Sequence, residues 1–151
     1  MEGLDIVSLP DPEPGLVIRY SYLWSSEYEA GREEGVKDRP CAIILAALEK
    51  DGRKQVLVAP VTHSAPRVAG EAKEIPAATK KRLGLDDARS WVVLNEANAF
   101  YWPGPDVRRV GDQGNESIAY GKLPAGFLLE ILLLFRDLDD AGNVHRVRRS
   151  E

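Results

Sequence analysis

The chain has 151 residues, of which 44% are hydrophobic, enough for one domain of ordinary size and too few for two. Lys and Arg number 20 against 24 Asp and Glu, a formal charge of −4. This excludes the broad basic surface of a non-specific nucleic-acid binder but leaves room for a local cationic site. The one cysteine, Cys41, excludes an internal disulfide and a thiolate-rich metal site.

Residues 1–14 hold Glu2, Asp5, Asp11 and Glu13 with no Lys or Arg, so they carry the whole acidic excess. Pro10, Pro12 and Pro14 alternate with these acids, and the segment reads as an extended, poorly packed leader. The compact domain is expected over about residues 15–138. Residues 139–151, with Arg146, Arg148 and Arg149 among few apolar residues, read as a frayed polar tail. No basic segment followed by an apolar one opens the chain, so no secretory signal is expected. The longest apolar stretch, 127–135, is broken by Glu130 and is too short to span a bilayer. A cytoplasmic protein without a membrane partner is the expectation.

Within the domain, the β-branched and aromatic run Leu16-Val17-Ile18-Arg19-Tyr20-Ser21-Tyr22 predicts a strand. Residues 41–48 follow Pro40 as a near-continuous apolar run, the pattern of a strand buried on both faces. Asp51-Gly52 marks a hairpin turn into the strand at 55–59. Trp91-Val92-Val93-Leu94 predicts a further strand, and Tyr120-Gly121-Lys122-Leu123 a short last one. A short helix is expected over 76–83, opened by a proline and stopped by Gly84. A longer one follows Pro124 over 125–138. It is apolar on most of its circumference and needs cover on more than one side. Many short strands with one long late helix imply a small curled barrel with appended helices.

Few arrangements for chemistry can be built from these residues. His63 and His145 have no second histidine or cysteine at ligand spacing, so neither a metal nor a cofactor is expected. Asp86-Asp87 and the group Asp137, Asp139 and Asp140 read as solvated caps or helix ends. Gly31-Arg32-Glu33-Glu34-Gly35 lacks the Lys-Ser/Thr of a phosphate-binding loop. What stands out is a strand-edge pattern. Arg39-Pro40 precedes the buried strand, and Pro60-Val61-Thr62-His63-Ser64 leaves the next one. Antiparallel pairing through the hairpin sets the start of the first strand beside the end of the second. Arg39 and Thr62 are therefore expected to be neighbours, with His63 and Ser64 on the adjoining loop.

The order of these pieces resembles the PemK/MazF family of toxin–antitoxin ribonucleases. The matching pieces are Gly15-Leu16-Val17-Ile18, Glu34, Arg39-Pro40, Pro60-Val61-Thr62, Ser90-Trp91-Val92-Val93 and Gly121-Lys122-Leu123-Pro124 before an apolar helix. The resemblance covers about residues 15–135. It implies an SH3-like small β-barrel with a C-terminal helix, a homodimer, metal-independent endoribonuclease cleavage of single-stranded RNA, and a cognate antitoxin. It also implies that Arg39 and Thr62 are the active pair and that Glu34 corresponds to the family's glutamate. In such chemistry the RNA's own 2′-hydroxyl attacks the adjacent phosphorus. A guanidinium such as Arg39 would then hold the phosphate oxygens and is a candidate for proton delivery to the leaving oxygen. Thr62 would fix a phosphate oxygen and His63 would move a proton.

Ser64, Arg67 and Trp24 are candidates for substrate binding, Trp24 and Trp102 by stacking on unpaired bases, while Trp91 is assigned to the core. Each of these residues also has a plain reading. Arg39 alone is a solvated strand edge, Thr62 a turn residue, Glu34 a surface partner of Arg32 or Lys37, and His63 and Arg67 are exposed loop residues. Two other classes stay open: a non-enzymatic, CcdB-like toxin that binds DNA gyrase through the end of its last helix, and a catalytically silent PemK-like binding module.

Overall fold

Side-chain alternation on three strands builds the centre of the molecule. These are β1 (Leu16–Tyr20), β2 (Arg39–Leu48) and β3 (Lys54–Thr62), in the places the sequence marks for them. The computed structural model describes residues 9–35, 37–111 and 117–149. In that range the other elements are α1 (Ser25–Glu29), β4 (Ala72–Glu74), α2 (Ala77–Leu83), β5 (Trp91–Val93), β6 (Glu96–Tyr101), β7 (Val107–Arg108), β8 (Ala119–Lys122), α3 (Ala125–Asp140) and β9 (His145–Arg148).

Successive residues of a strand point to opposite faces, and here both faces are buried. Leu16, Ile18 and Tyr20 of β1, Cys41 and Ile43 of β2, and Val56 and Val58 of β3 join one cluster with Phe100 and Ile118. Val17, Ala42, Ile44, Leu57, Ala59 and Val61 join the other, with Leu83 of α2 and Phe127 and Ile131 of α3. A near-continuous apolar run is therefore what β2 needs, but only over its first half. Past a register shift between Ile43 and Leu45, one extra residue enters β2 against β3, and Leu45 and Leu48 beyond it are exposed.

The strands form one sheet in the order β4-β5-β3-β2-β1-β7, with β8 also on β1 and β6 also on β3. Every ladder is antiparallel except that of β6 with β9, which is parallel. No ladder joins β4 to β7 or β8 among the described residues, so the sheet is open. The protein is thus mainly β with a few helices.

Pro60 organises the far side of β3. Residues 55–58 pair with β6 and residues 61–62 with β5. Between them Pro60 has no N–H to donate, and β3 changes partner there. This split opens the end of the hairpin where Thr62 leaves the sheet.

Both chain ends depart from expectation. The tail is not frayed as far as residue 149. His145–Arg148 pairs with β6, and Val147 is buried. Arg149 is buried too. Its guanidinium donates to the Ser21 carbonyl at 2.6 Å and to Asn98 Oδ1 at 3.1 Å, and lies 3.2 Å from Asp106 Oδ2. One apolar residue among arginines gives a weak strand signal, and the buried ion pair that anchors it is a long-range contact.

At the other end, residues 9–14 lie against the sheet rather than free of it. Pro12 is buried, Leu9 packs on the Tyr20 cluster, and the Gly15 N–H donates to the Ile43 carbonyl at 2.8 Å. Asp11 pairs with Lys54 and Glu13 with Lys122, so cations of the domain draw in part of the acidic leader. Residues 1–8 lie outside the described range. Among the described residues, no helix is long and apolar enough to cross a membrane. In α3 only Phe127 and Ile131 are buried, and Leu129 and Leu133 face outward. The cover expected on a second side of this helix is not supplied by the described residues.

Arg149→Ala tests the docked tail, since it strands Asp106 and the buried Ser21 carbonyl. Loss of one partner from such a pair costs about 3 kcal/mol, read as a lower midpoint in denaturant unfolding. A frayed tail would change stability by less than about 0.5 kcal/mol.

Candidate functional site

The hairpin register brings the two strand ends together. Cys41 lies opposite Pro60 and Ala42 opposite Ala59, so the same register carried two residues outward sets Arg39 opposite Thr62. Pro40 restricts Arg39 to extended backbone, which keeps β2 straight up to this end. A cavity of about 490 Å³ opens there, and its lining includes Arg39, Thr62, His63, Ser64, Trp24 and Asp86.

Arg39 is half-buried and poorly satisfied. Its Nη1 donates to the Val61 carbonyl over a long 3.4 Å, and its buried Nε has no hydrogen-bond partner. The guanidinium carbon lies 5.0 Å from the Trp24 ring centroid, a cation–π contact that fixes the plane of the group. No carboxylate pairs with it among the described residues. The neighbouring Asp38 is engaged elsewhere, 3.7 Å from Arg19 and 3.9 Å from Arg108. A partly desolvated cation without a counter-ion at a cavity wall is a ready anion site.

Trp24 reaches Arg39 because β6 holds the segment that carries it. The fully buried Asn98 accepts from the Leu23 N–H at 2.9 Å and donates back to the Leu23 carbonyl at 2.8 Å. Glu96 accepts from Tyr22 Oη and from the Ser25 N–H. Trp24 itself starts α1, its N–H bonded to Glu27 three residues on. Gly35 closes the same loop against this segment, where a β-carbon would meet the Tyr22 carbonyl oxygen at 2.3 Å.

Thr62 Oγ1 accepts from the Ser64 N–H at 3.2 Å. This local turn fixes the hydroxyl oxygen and leaves its proton free to donate. His63 Nε2 meets Asp86 Oδ2 at 2.8 Å. Asp86 is held in turn by Lys80 of α2, whose buried ammonium donates to Asp86 Oδ1 at 2.9 Å and to the Ala88 carbonyl. The hydrogen bond from Lys80 is the main cause that holds the Asp86 carboxyl below the usual carboxylate range, with the imidazole adding to it. The helix end builds this turn. Gly84 takes the left-handed conformation with φ +71°, and the Leu85 N–H returns to the Lys80 carbonyl at 2.9 Å. Asp86 then falls over Lys80.

Five of the seven expected site residues therefore line one cavity: Arg39, Thr62, His63, Ser64 and Trp24. Glu34 and Arg67 are exposed on their loops and do not line it. Arg53 and Lys54 are set apart from it as well. They stand at the far end of β3, on the order of 25 Å of strand from Thr62, and the described part of the leader pairs there with Lys54. Trp91 is buried as expected, and Trp102 packs beside Phe100 on the core. Cys41 is fully buried and burial pushes its thiol well up, which removes it as a nucleophile.

Asp86 is exposed just past the end of α2, as the reading of a solvated cap or helix end expects, but its pairing with Lys80 and His63 is not part of that reading. The one signal for it was its place two residues after a helix-stopping glycine. Its contact with His63, 23 positions away, has no local signature. Among the described residues no three His, Cys, Asp or Glu side chains gather as a metal site. Neither a protein-family model nor a curated protein matches this chain.

Asp86 gives this site a pH signature. Its folded carboxyl titrates below the unfolded one, so its bond to Lys80 adds stability at neutral pH and loses it as pH falls below about 4. The difference in thermal midpoint between the native chain and Asp86→Asn is expected at pH 7 and should vanish in acid. A difference that persists unchanged in acid would contradict the assignment.

Proposed function

We propose that the chain is a PemK/MazF-like endoribonuclease toxin that cuts single-stranded RNA without a metal. The observation that carries this reading is the Arg39 guanidinium, uncompensated by any described carboxylate, half-buried beside Thr62 on the cavity wall. A permanently charged, planar guanidinium on the wall of a cavity is suited to the oxygens of a phosphodiester. The gathering of five expected residues at one cavity and the order of motifs in the sequence support the same reading.

In the reaction, the 2′-oxygen gives up its proton to His63 and bonds to phosphorus, and the bond from phosphorus to the 5′-oxygen breaks. The products are a 2′,3′-cyclic phosphate and a 5′-hydroxyl. Arg39 and Thr62 stabilise the charge that grows on the non-bridging oxygens. Arg39 is too weak an acid to serve as proton donor, so the leaving oxygen takes its proton from water in the open cavity. Trp24 offers a face on which an unpaired base stacks.

The SH3-like barrel, the homodimer and the cognate antitoxin belong to this same reading. Burial of both faces of β1 to β3 and the bulge in β2 support a curled sheet. The outward Leu129 and Leu133 of α3 support a second copy as the missing cover, and a free, buried Cys41 suits a reducing cytoplasm. The gyrase-binding alternative needs an accessible end of α3. Here β9 follows that end, and its Arg146 donates to Asp139 at 2.8 Å on the surface.

Purified protein incubated with single-stranded RNA in EDTA is expected to cut it, and Arg39→Ala to slow cleavage about 100-fold or more. No cleavage by the native chain, or cleavage undiminished in Arg39→Ala, would overturn the reading.

A further inference from the structure

Between α2 and the cavity, three side chains form a chain of contacts from a buried cation to an exposed imidazole. Lys80 has a side chain only 6% exposed, while those of Asp86 and His63 are 57% and 58% exposed. A buried ammonium that loses its counter-ion is costly, so Lys80 holds Asp86 in place although Asp86 itself is open to solvent. The Ala88 N–H also donates to Asp86 Oδ1, at 3.1 Å. One carboxylate oxygen is thus taken by Lys80 and Ala88. The other, Oδ2, is left for His63 Nε2.

We infer that Asp86, clamped by Lys80, is a positioning residue that fixes the tautomer of His63 and leaves Nδ1 as its proton-accepting nitrogen. An ionised carboxylate can only accept, so Nε2 must carry the proton in the neutral ring. The lone pair then sits on Nδ1, on the opposite side of the ring from Asp86. This rests on the ribonuclease reading for its purpose, since a base is what the attacking 2′-hydroxyl requires. The tautomer itself does not depend on that reading.

The consequence is testable through an amide. Asp86→Asn has one accepting and one donating end. The buried Lys80 and the Ala88 N–H can use only the accepting oxygen, so His63 would face the NH₂ group. Its Nε2 must then offer a lone pair, and the proton moves to Nδ1. The imidazole nitrogens can be followed by ¹⁵N NMR at about pH 9, where imidazoles are neutral. His63 and His145 are the two histidines of the chain, and a His63→Gln sample assigns the signals.

The native protein is expected to show the Nε2-protonated form alone, and Asp86→Asn the Nδ1-protonated form. Lys80→Met, an apolar replacement at the buried position, should release the carboxylate and give a mixture of the two. On single-stranded RNA, Asp86→Asn should lower kcat about 100-fold and leave KM within about twofold, because the substrate-binding groups are untouched. The same tautomer in the native protein and Asp86→Asn, or a mixture in the native protein, would overturn the inference. So would a single, unchanged tautomer in Lys80→Met. A native chain that fails to cut RNA overturns the ribonuclease reading instead, and the NMR comparison still decides the role of Asp86.

Discussion

The register of one hairpin governs the rest of the site. With Cys41 opposite Pro60, the first residue of β2 and the last of β3 meet at a single edge of the sheet, and Arg39 and Thr62 come with them. A slip of one residue would turn every side chain of a strand to its other face, and here both faces are committed to different clusters. That double burial locks the register far more firmly than a hairpin turn could. Pro60 then adds a local effect. It ends the ladder with β6, so that β5 pairs only with the last two residues of β3 and the cavity opens beside them.

Charge is distributed around this edge so that no carboxylate among the described residues pairs with Arg39. Asp38, adjacent in sequence, is shared by Arg19 and Arg108 across the β1–β7 ladder. Asp86 faces the same cavity but belongs to Lys80 and His63. Both acids on the cavity wall, Asp38 and Asp86, thus have a cation or an imidazole of their own. The net charge of the chain conceals this, because charge balance is a local matter within a Debye length. An acidic protein can therefore hold a guanidinium without a described carboxylate partner on the wall of its cavity.

Much of this could be read from the sequence. The hairpin was legible because Asp51-Gly52 lies between two apolar runs, and α2 because Pro76 and Gly84 bracket it. The meeting of Arg39, Thr62, His63 and Ser64 followed from antiparallel geometry alone. What escaped were elements that tertiary contacts hold in place. The strand β9 rests on a buried arginine, and β6, for which the sequence offered no strand signal, carries the polar Asn98 at full burial. Asn98 is there because it satisfies both the N–H and the carbonyl of Leu23. The pairing of Asp86 escaped for the same reason, as its partner Lys80 is one of the few buried lysines a chain tolerates and only the fold brings the two together.

The central claim is that the phosphodiester is broken by its own 2′-oxygen, with Arg39 holding the phosphate. Mass spectrometry of the fragments tests this most directly, on an RNA oligonucleotide and on the same oligonucleotide with a single 2′-deoxy substitution at the cleaved step. The account predicts a 2′,3′-cyclic phosphate on one fragment and a 5′-hydroxyl on the other, with no cleavage at the deoxy position. Fragments ending in a 5′-phosphate, or cleavage that ignores the missing 2′-hydroxyl, would contradict it.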